Sequence, residues 1–327
     1  MKLPHRRQFL HLAAGAAALP ALPHIGRAQA YPTRPVRVIV PFGPGGPTDV
    51  FARLIAPKLS QQLGKQFYVE NIAGGGGNVG TGQVARSAPD GHTLLITVGA
   101  FVTNPVFLGK VPYDPVKDFA PVTSPVASAF ALVVHPSVQA KTTKDLVTLI
   151  RANPGKFTYG SGGAGTQGHL AFEQFRLSLG LDIVHVPFGG GGPLIAAVVA
   201  GHTPVGIPLL PPTVSQIREG SVRALTLTSK MRSQKLPNIP TAVEAGYPIL
   251  EGDQWLGVLA PAATPKEIIA TLHRRIVEVT ALPDVKERLE ALEFYTVEST
   301  SDEFAEQIKV ELERWRTVIR TANIKPE

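Results

Sequence analysis

The sequence predicts an α/β protein of two lobes that face one another across a cleft. A unit of strand, glycine loop and helix recurs along the chain, and each half of the chain has its own glycine-rich loops. The length agrees: setting aside the first thirty of the 327 residues leaves 297, more than one ordinary small core requires.

The elements follow in order. Val36 to Val40 reads as a short apolar strand, Pro41-Phe42-Gly43-Pro44-Gly45-Gly46-Pro47 as a loop, and Thr48-Asp49 as the start of a helix. That helix has an apolar stripe at Phe51, Leu54, Ile55, Leu59 and Leu63, and Gly64 stands where a glycine should stop it. A second unit comprises a strand at Phe67 to Glu70, the loop Gly74-Gly75-Gly76-Gly77-Asn78, a short helix from Val79 to Ser87, a turn at Pro89-Asp90-Gly91 and a strand at Leu94 to Val98. A second α/β set starts near Leu132-Val133-Val134. It has a helix over Thr143 to Ala152, a strand at Phe157 to Gly160, the loop Ser161 to Gly168, and a helix from Gln167 to Leu179 closed by Gly180. Ile183 to Val186 is a further strand. It leads through Pro187-Phe188 and the tetraglycine Gly189 to Gly192 into a helix from Pro193 to Ala200, and Val222 to Thr228 alternates like a strand. From Trp255 the pattern gives an apolar strand and helices over Lys266 to Ala281, Asp284 to Leu292 and Asp302 to Ala322.

The first strand, loop and helix unit suits an anion, because the first turn of a helix offers unpaired N–H groups and the positive dipole end, and glycines let a ligand approach the backbone. A phosphate-binding loop would carry Gly-Lys-Ser/Thr, which is absent, so a carboxylate is expected.

At the N-terminus Lys2, Arg6 and Arg7 precede the apolar run Phe9 to Leu22, and Ala28-Gln29-Ala30 offers a cleavage site, so residues 1–30 read as an export signal. Arg6-Arg7-Gln8-Phe9-Leu10 resembles a twin-arginine signal. The formal charge of +7 then falls to +3, because Lys2, Arg6, Arg7 and Arg27 leave with it. No basic cluster with interleaved aromatics remains, which argues against nucleic acid. The absence of cysteine excludes disulfides, thiol nucleophiles and thiolate metal sites.

Other chemistries carry weaker signals. Gly75-x-Gly77-x-x-Gly80 and Gly160-x-Gly162-x-x-Gly165 match the dinucleotide fingerprint, the second with Asp182 near the position of a ribose-binding acid, so an exported nicotinamide-dependent oxidoreductase is the alternative. Ser161 lies between a strand and a helix as a nucleophile would, but the flanking Gly-x-Ser-x-Gly glycines are missing. His169 is its nearest base and reads better as a structural or ligand-orienting residue. Asp49 is an acid, a ligand partner or a first-turn carboxylate that pins the loop. His92, His135, His185 and His202 lack metal-ligand spacing and read as ordinary surface or core residues. Phe42, Phe101 and Phe188 are candidates for the cleft wall or the core.

Taken together, Val40-Pro-Phe-x-Pro-Gly-Gly-x-x-Asp49, Val69-Glu70-Asn71, Pro89-Asp90-Gly91-His92-Thr93-Leu94-Leu95, Pro112-Tyr113-Asp114-Pro115, Ser161-x-Gly163-x-Gly165-Thr166-x-x-His169-Leu170, Val184-His185-Val186-Pro187-Phe188 and Leu236-Pro237-x-x-Pro240-Thr241 closely resemble the Bug family. These are TctC-like solute-binding proteins of tripartite tricarboxylate transporters, and the likeness runs over nearly all of the chain after residue 30.

The resemblance implies a type II periplasmic binding protein, with lobe 1 at 31–131 plus 255–327 and lobe 2 at 132–254. It implies no enzyme activity and no cofactor or metal, a periplasmic location, a monomer, and the membrane subunits of such a transporter as partners. The ligand implied is a small carboxylate, a dicarboxylate or an aromatic acid. Carried over to matching positions, its contacts are Phe42, Gly43, Pro44, Gly45, Gly46, Asp49, Gly77 and Asn78 from the first lobe. Ser161, Gly163, Gly165, Thr166, His169 and Phe188 follow from the second. The chain departs from the family at Phe188-Gly189, where Tyr-Lys is usual, and at Ala197-Val198 and Gly201-His202-Thr203-Pro204. With Pro208 and Leu209 in a segment often polar, these changes make an apolar wall and a larger or aromatic acid the expectation.

Overall fold

The computed structural model describes residues 31–326, so the expected export signal at residues 1–30 lies outside the described residues. Two sheets organise the fold. The first has six strands in the order β11-β4-β10-β3-β1-β2, formed by β1 (Val36–Val40), β2 (Phe67–Asn71), β3 (Thr93–Val98), β4 (Phe119–Ser128), β10 (Gln254–Pro261) and β11 (Tyr295–Thr296). The second has five in the order β7-β6-β8-β5-β9, formed by β5 (Ala131–Val134), β6 (Thr158–Ser161), β7 (Val184–Pro187), β8 (Val205–Gly206) and β9 (Arg223–Leu227). β1 pairs parallel with β2 and β3, while β10 runs antiparallel between β3 and β4. Only Ala129 and Phe130 separate β4 of the first sheet from β5 of the second, so one nearly continuous extended segment crosses between the lobes.

Both faces of the first sheet are covered, which is why β1 is apolar at every position but Arg37, which pairs with Glu70, rather than alternating throughout. Val36, Val38 and Val40 pack with Phe51, Ile55 and Leu59 of α1 (Pro47–Leu63) and with Leu272 and Ile276 of α8 (Lys266–Thr280). Ile39 and Leu95 belong to the opposite face, with Phe101 of α3 (Ala100–Leu108) and Phe304 and Trp315 of α10 (Ser301–Thr321). The alternation follows the two-residue repeat of a strand. The remaining helices are α2 (Asn78–Ala85), α4 (Thr143–Ala152), α5 (Gln167–Leu179), α6 (Gly191–Val199), α7 (Val214–Arg218) and α9 (Pro283–Ala291).

Helix ends match the sequence signals. Gly64 and Gly180 close α1 and α5 in the left-handed region at φ 70° and 61°. Helix α5 is shared: Phe172 and Phe175 enter the core of the second lobe, whereas Leu170 and Ala171 are enclosed with Phe101 and Trp255 of the first.

Two substantial elements have no counterpart in the sequence reading, the helix α3 and the ten-residue strand β4. Each holds prolines, Pro105 in α3 and Pro121 and Pro125 in β4, which locally argue against a helix interior or a central strand. β4 tolerates them beside register shifts in its ladder with β10.

Candidate functional site

Three helices aim their N-termini at one cavity of about 560 Å³ between the lobes. Gly45 and Pro47 come from the start of α1, Gly162 and Thr166 from the loop into α5, and Gly190, Gly191 and Gly192 from the start of α6. Helices α1 and α6 have no side-chain cap, while Thr166 caps α5 by accepting from the His169 N–H at 3.4 Å. Uncapped N-termini leave N–H groups and dipole ends for an anion. The walls are apolar: Phe130 from the crossing segment, Leu194 from α6, Ile207 and Leu209 after β8, and Leu292 and Phe294 after α9. The polar side chains in the lining are Thr166 and Gln254, and none of the lining residues is charged. A carboxylate here would be held by backbone dipoles, with its body against hydrocarbon.

A second cavity, of about 450 Å³, lies against Ala129, the neighbour of Phe130, and therefore on the other face of the crossing segment. Its lining includes Arg232, Lys235, Glu290 and Glu293, and Lys235 already pairs with Glu293 at 3.4 Å. We take the first cavity as the site because the three helix N-termini open there.

Asp49 is 3% exposed and turned inward. Its carboxylate accepts from the Gly45 N–H at 2.9 Å, from Arg53 Nε at 3.0 and 3.1 Å, and from Asn71 Nδ2 at 2.9 Å. Burial opposes its charge, but the Arg53, Gly45 and Asn71 hydrogen bonds outweigh burial and hold the carboxyl below the usual range. Asn71 also donates to the Phe42 carbonyl at 3.0 Å, so Asp49 and Asn71 together fix the loop 42–45. Replacing Asp49 by alanine strips the loop of these anchors. Urea denaturation of Asp49→Ala is expected to show a loss of about 2 kcal/mol; a loss under about 0.5 kcal/mol would contradict the anchoring role.

The other sequence candidates divide. The Phe42 ring lies against Gly77, where an added Cβ would come within 3.1 Å of it. Asn78 is enclosed, and its Oδ1 accepts from Asn104 at 3.0 Å and from the Tyr113 hydroxyl at 3.4 Å. Phe101 is a core residue, 1% exposed and stacked on Tyr113. The Phe188 ring covers Gly160, and Gly165 lies under the Phe107 ring, which would stand 2.3 Å from an added Cβ. Gly43, Pro44 and Gly46 complete the loop ahead of α1, with Gly43 and Gly46 leaving their backbone open to approach. Of the predicted contacts, Gly45 and Thr166 line the cavity directly.

Sequence reasoning weighed His169 as a base for Ser161 and favoured a structural or ligand-orienting role for it, while it read His185 as ordinary; the structure gives the Ser161 contact to His185. Ser161 is fully enclosed, and its Oγ is 2.7 Å from Nε2 of His185. His169 instead accepts the Gly165 N–H on Nδ1 at 3.0 Å. The two imidazoles stack 3.7 Å apart at 9°. Burial, with the neighbouring charge of His185 and then Arg176, pushes His169 down to about 3. Burial also pushes His185 down to about 4, against the pull of Glu173. The parallel register of β6 and β7, which sets Tyr159 opposite His185, brings His185 here, and no short motif announces it.

Two α/β lobes joined by an extended crossing segment around an N–H-lined cleft define a type II periplasmic binding protein. Comparison with known proteins narrows the class. The TctC sequence profile, that of the tripartite tricarboxylate transporter family receptors, matches residues 51–324, and the chain belongs to this family. It is similar to the protein BugT of Bordetella pertussis, with 35% identity over 300 residues, 91% of this chain and 92% of BugT. Among solved structures it is similar to R. palustris Rpa4515 with adipate, at 32% identity and a TM-score of 0.78, covering 91% of this chain and 100% of that one. It is also similar to MatC from Rhodopseudomonas palustris with bound malate, at 30% identity and a TM-score of 0.73, covering 88% and 100%. The family is one of substrate-binding receptors rather than enzymes. Among the described residues no helix is long and apolar enough to cross a membrane.

Proposed function

We propose that the protein captures a carboxylic acid with an apolar body, an aromatic acid or an apolar-chain dicarboxylate, between its lobes. It works in the periplasm as a monomer without a cofactor, and passes the acid to the membrane subunits of a tripartite tricarboxylate-type transporter. We place lobe 1 at 31–131 plus 255–327 and lobe 2 at 132–254. The carrying observation is the cavity itself: three helix N-termini supply N–H groups, no charged side chain lines it, and Phe130, Leu209 and Phe294 form its walls. Adipate and malate in the structures of two relatives favour a carboxylate ligand. Against the apolar wall the hydroxyls of malate or citrate would lose water without gaining a partner, which favours the more apolar acids. The loop of Phe42, Gly43, Pro44, Gly45 and Gly46 and the second-lobe loop of Ser161, Gly163, Gly165, Thr166 and His169 frame the carboxylate end.

Thermal unfolding of residues 31–327 against a panel of aromatic acids, adipate, malate, citrate and nicotinamide dinucleotides tests this reading. An acid at about 100 times its dissociation constant should add roughly 2.7 kcal/mol of stability. Tighter binding of malate or citrate than of benzoate-type acids would overturn the apolar specificity. A response to dinucleotides alone would overturn carboxylate capture in favour of the exported oxidoreductase.

A further inference from the structure

The stacked histidines lie beneath the second-lobe loop and are tied to both of its ends. His185 of β7 meets Ser161 at the start of the loop, at 2.7 Å, and Ser161 Oγ accepts the Gly163 N–H at 3.2 Å. His169 of α5 takes the Gly165 N–H near its end, at 3.0 Å. Between these ties the Gly163 carbonyl accepts the Thr166 hydroxyl at 2.7 Å. Gly163 and Gly165 have φ of 141° and 73°, so this stretch has little backbone preference of its own and needs outside anchors to keep one shape. Gly162 and Thr166, in the same stretch, line the cleft. The acceptor role of His169 Nδ1 leaves its proton on Nε2, so the ring is neutral and stacks on His185 without charge repulsion. Tyr159 of β6 lies against both rings, and its hydroxyl is taken by Glu173 at 2.7 Å, which Arg176 holds in turn. Tyr159, Glu173 and Arg176 beside the pair are therefore already engaged with one another.

We propose that His185 is a positioning residue for ligand capture: it holds Ser161 and, through the stacked ring of His169, sets the shape of loop 161–166. The inference rests on the carboxylate-capture reading for its purpose, but the positioning can be measured without a ligand. A residue that merely filled space would be replaced equally well by another ring of similar size. His185→Phe keeps the stack and removes the hydrogen bond to Ser161, whereas His185→Gln keeps a polar atom near the position of Nε2.

Amide hydrogen exchange of Gly163 and Gly165, followed by NMR, is the first readout. Exchange should accelerate about tenfold or more in His185→Phe and stay within about threefold of the parent in His185→Gln. Affinity for the acid that gives the largest thermal shift should fall in parallel, by roughly tenfold in the Phe variant. Ser161→Ala cuts the same bond with little steric change but also removes the acceptor of the Gly163 N–H, so it serves through the Gly165 amide alone if His185→Phe does not fold. The double variant Ser161→Ala/His185→Phe should lose no more Gly165 protection than either single change. Unchanged exchange of both glycines in His185→Phe, or of Gly165 in Ser161→Ala where that variant stands in, would overturn the proposal, as would additive losses of Gly165 protection in the double variant. Accelerated exchange in a protein that binds none of the acids would support the positioning role and sink the capture reading instead.

Discussion

Replacing Gly257 by alanine is expected to lower the free energy of unfolding by about 2–3 kcal/mol, in the upper range for an overpacked core. Gly257 lies in the middle of β10, between β3 and β4. A Cβ there would stand 2.2 Å from the Phe304 ring of α10 and 2.9 Å from the Trp255 ring. Neither ring can yield cheaply. Phe304 is fully enclosed, Trp255 is 2% exposed, and they meet edge to face with centroids 5.2 Å apart. The Trp255 indole N–H is further fixed by both Glu311 oxygens at 3.0 Å. Urea denaturation should show a lower midpoint at unchanged slope, and Phe304→Leu should recover part of the loss. A midpoint equal to the parent's would mean that α10 can move away from the sheet, contrary to the packing described.

Acidification from pH 6.5 to about 4.5 is expected to remove roughly 4 kcal/mol of the stability that the two imidazoles provide, shared about equally between His169 and His185. In the unfolded chain both imidazoles titrate near their ordinary value of about 6.5, whereas in the fold they are pushed down to about 3 and about 4. Between these values the unfolded chain binds more protons than the folded one. The stabilisation is therefore complete above pH 6.5 and is lost as pH falls toward the folded values. Asp49, Asp90 and Asp114, held low by their hydrogen bonds, add their own losses only below about 4. Asp253 and Glu311 act in the opposite sense, because burial raises their carboxyls and the fold takes up their protons first. Comparing the parent with His169→Gln/His185→Gln isolates the imidazoles, and the double variant should show a flatter profile from pH 6.5 to about 4.5. Parallel profiles would show that the rings are not held neutral by the fold.

Much of the architecture was legible because its signals are local. The apolar stripe of α1 ending at Gly64, the α5 pattern ending at Gly180, and the glycine loops before α1 and α5 all recur in the structure close to where the pattern puts them. Prolines hid α3 and β4, since their local cost is offset by packing that a sequence window does not contain. The site divides in the same way. Its glycine loops were readable from composition and spacing, whereas Phe130, Ile207 and Phe294 looked like any other core residues until the two sheets were placed. The carboxylate of Asp49 allowed three readings, and its partners Gly45, Arg53 and Asn71 decide for the loop anchor.

By itself the sequence determined that the chain alternates strands and helices, stops its helices at glycines and opens several of them with bare glycine loops. These properties depend on a few neighbouring residues and on steric rules that act within one turn. Only the tertiary structure decided that three helix N-termini meet in one cleft, that Phe107 occupies the space over Gly165, and that His185 rather than His169 holds Ser161. The reason is that strand register and lobe placement bring together residues far apart in the chain, through many weak contacts that no local pattern records.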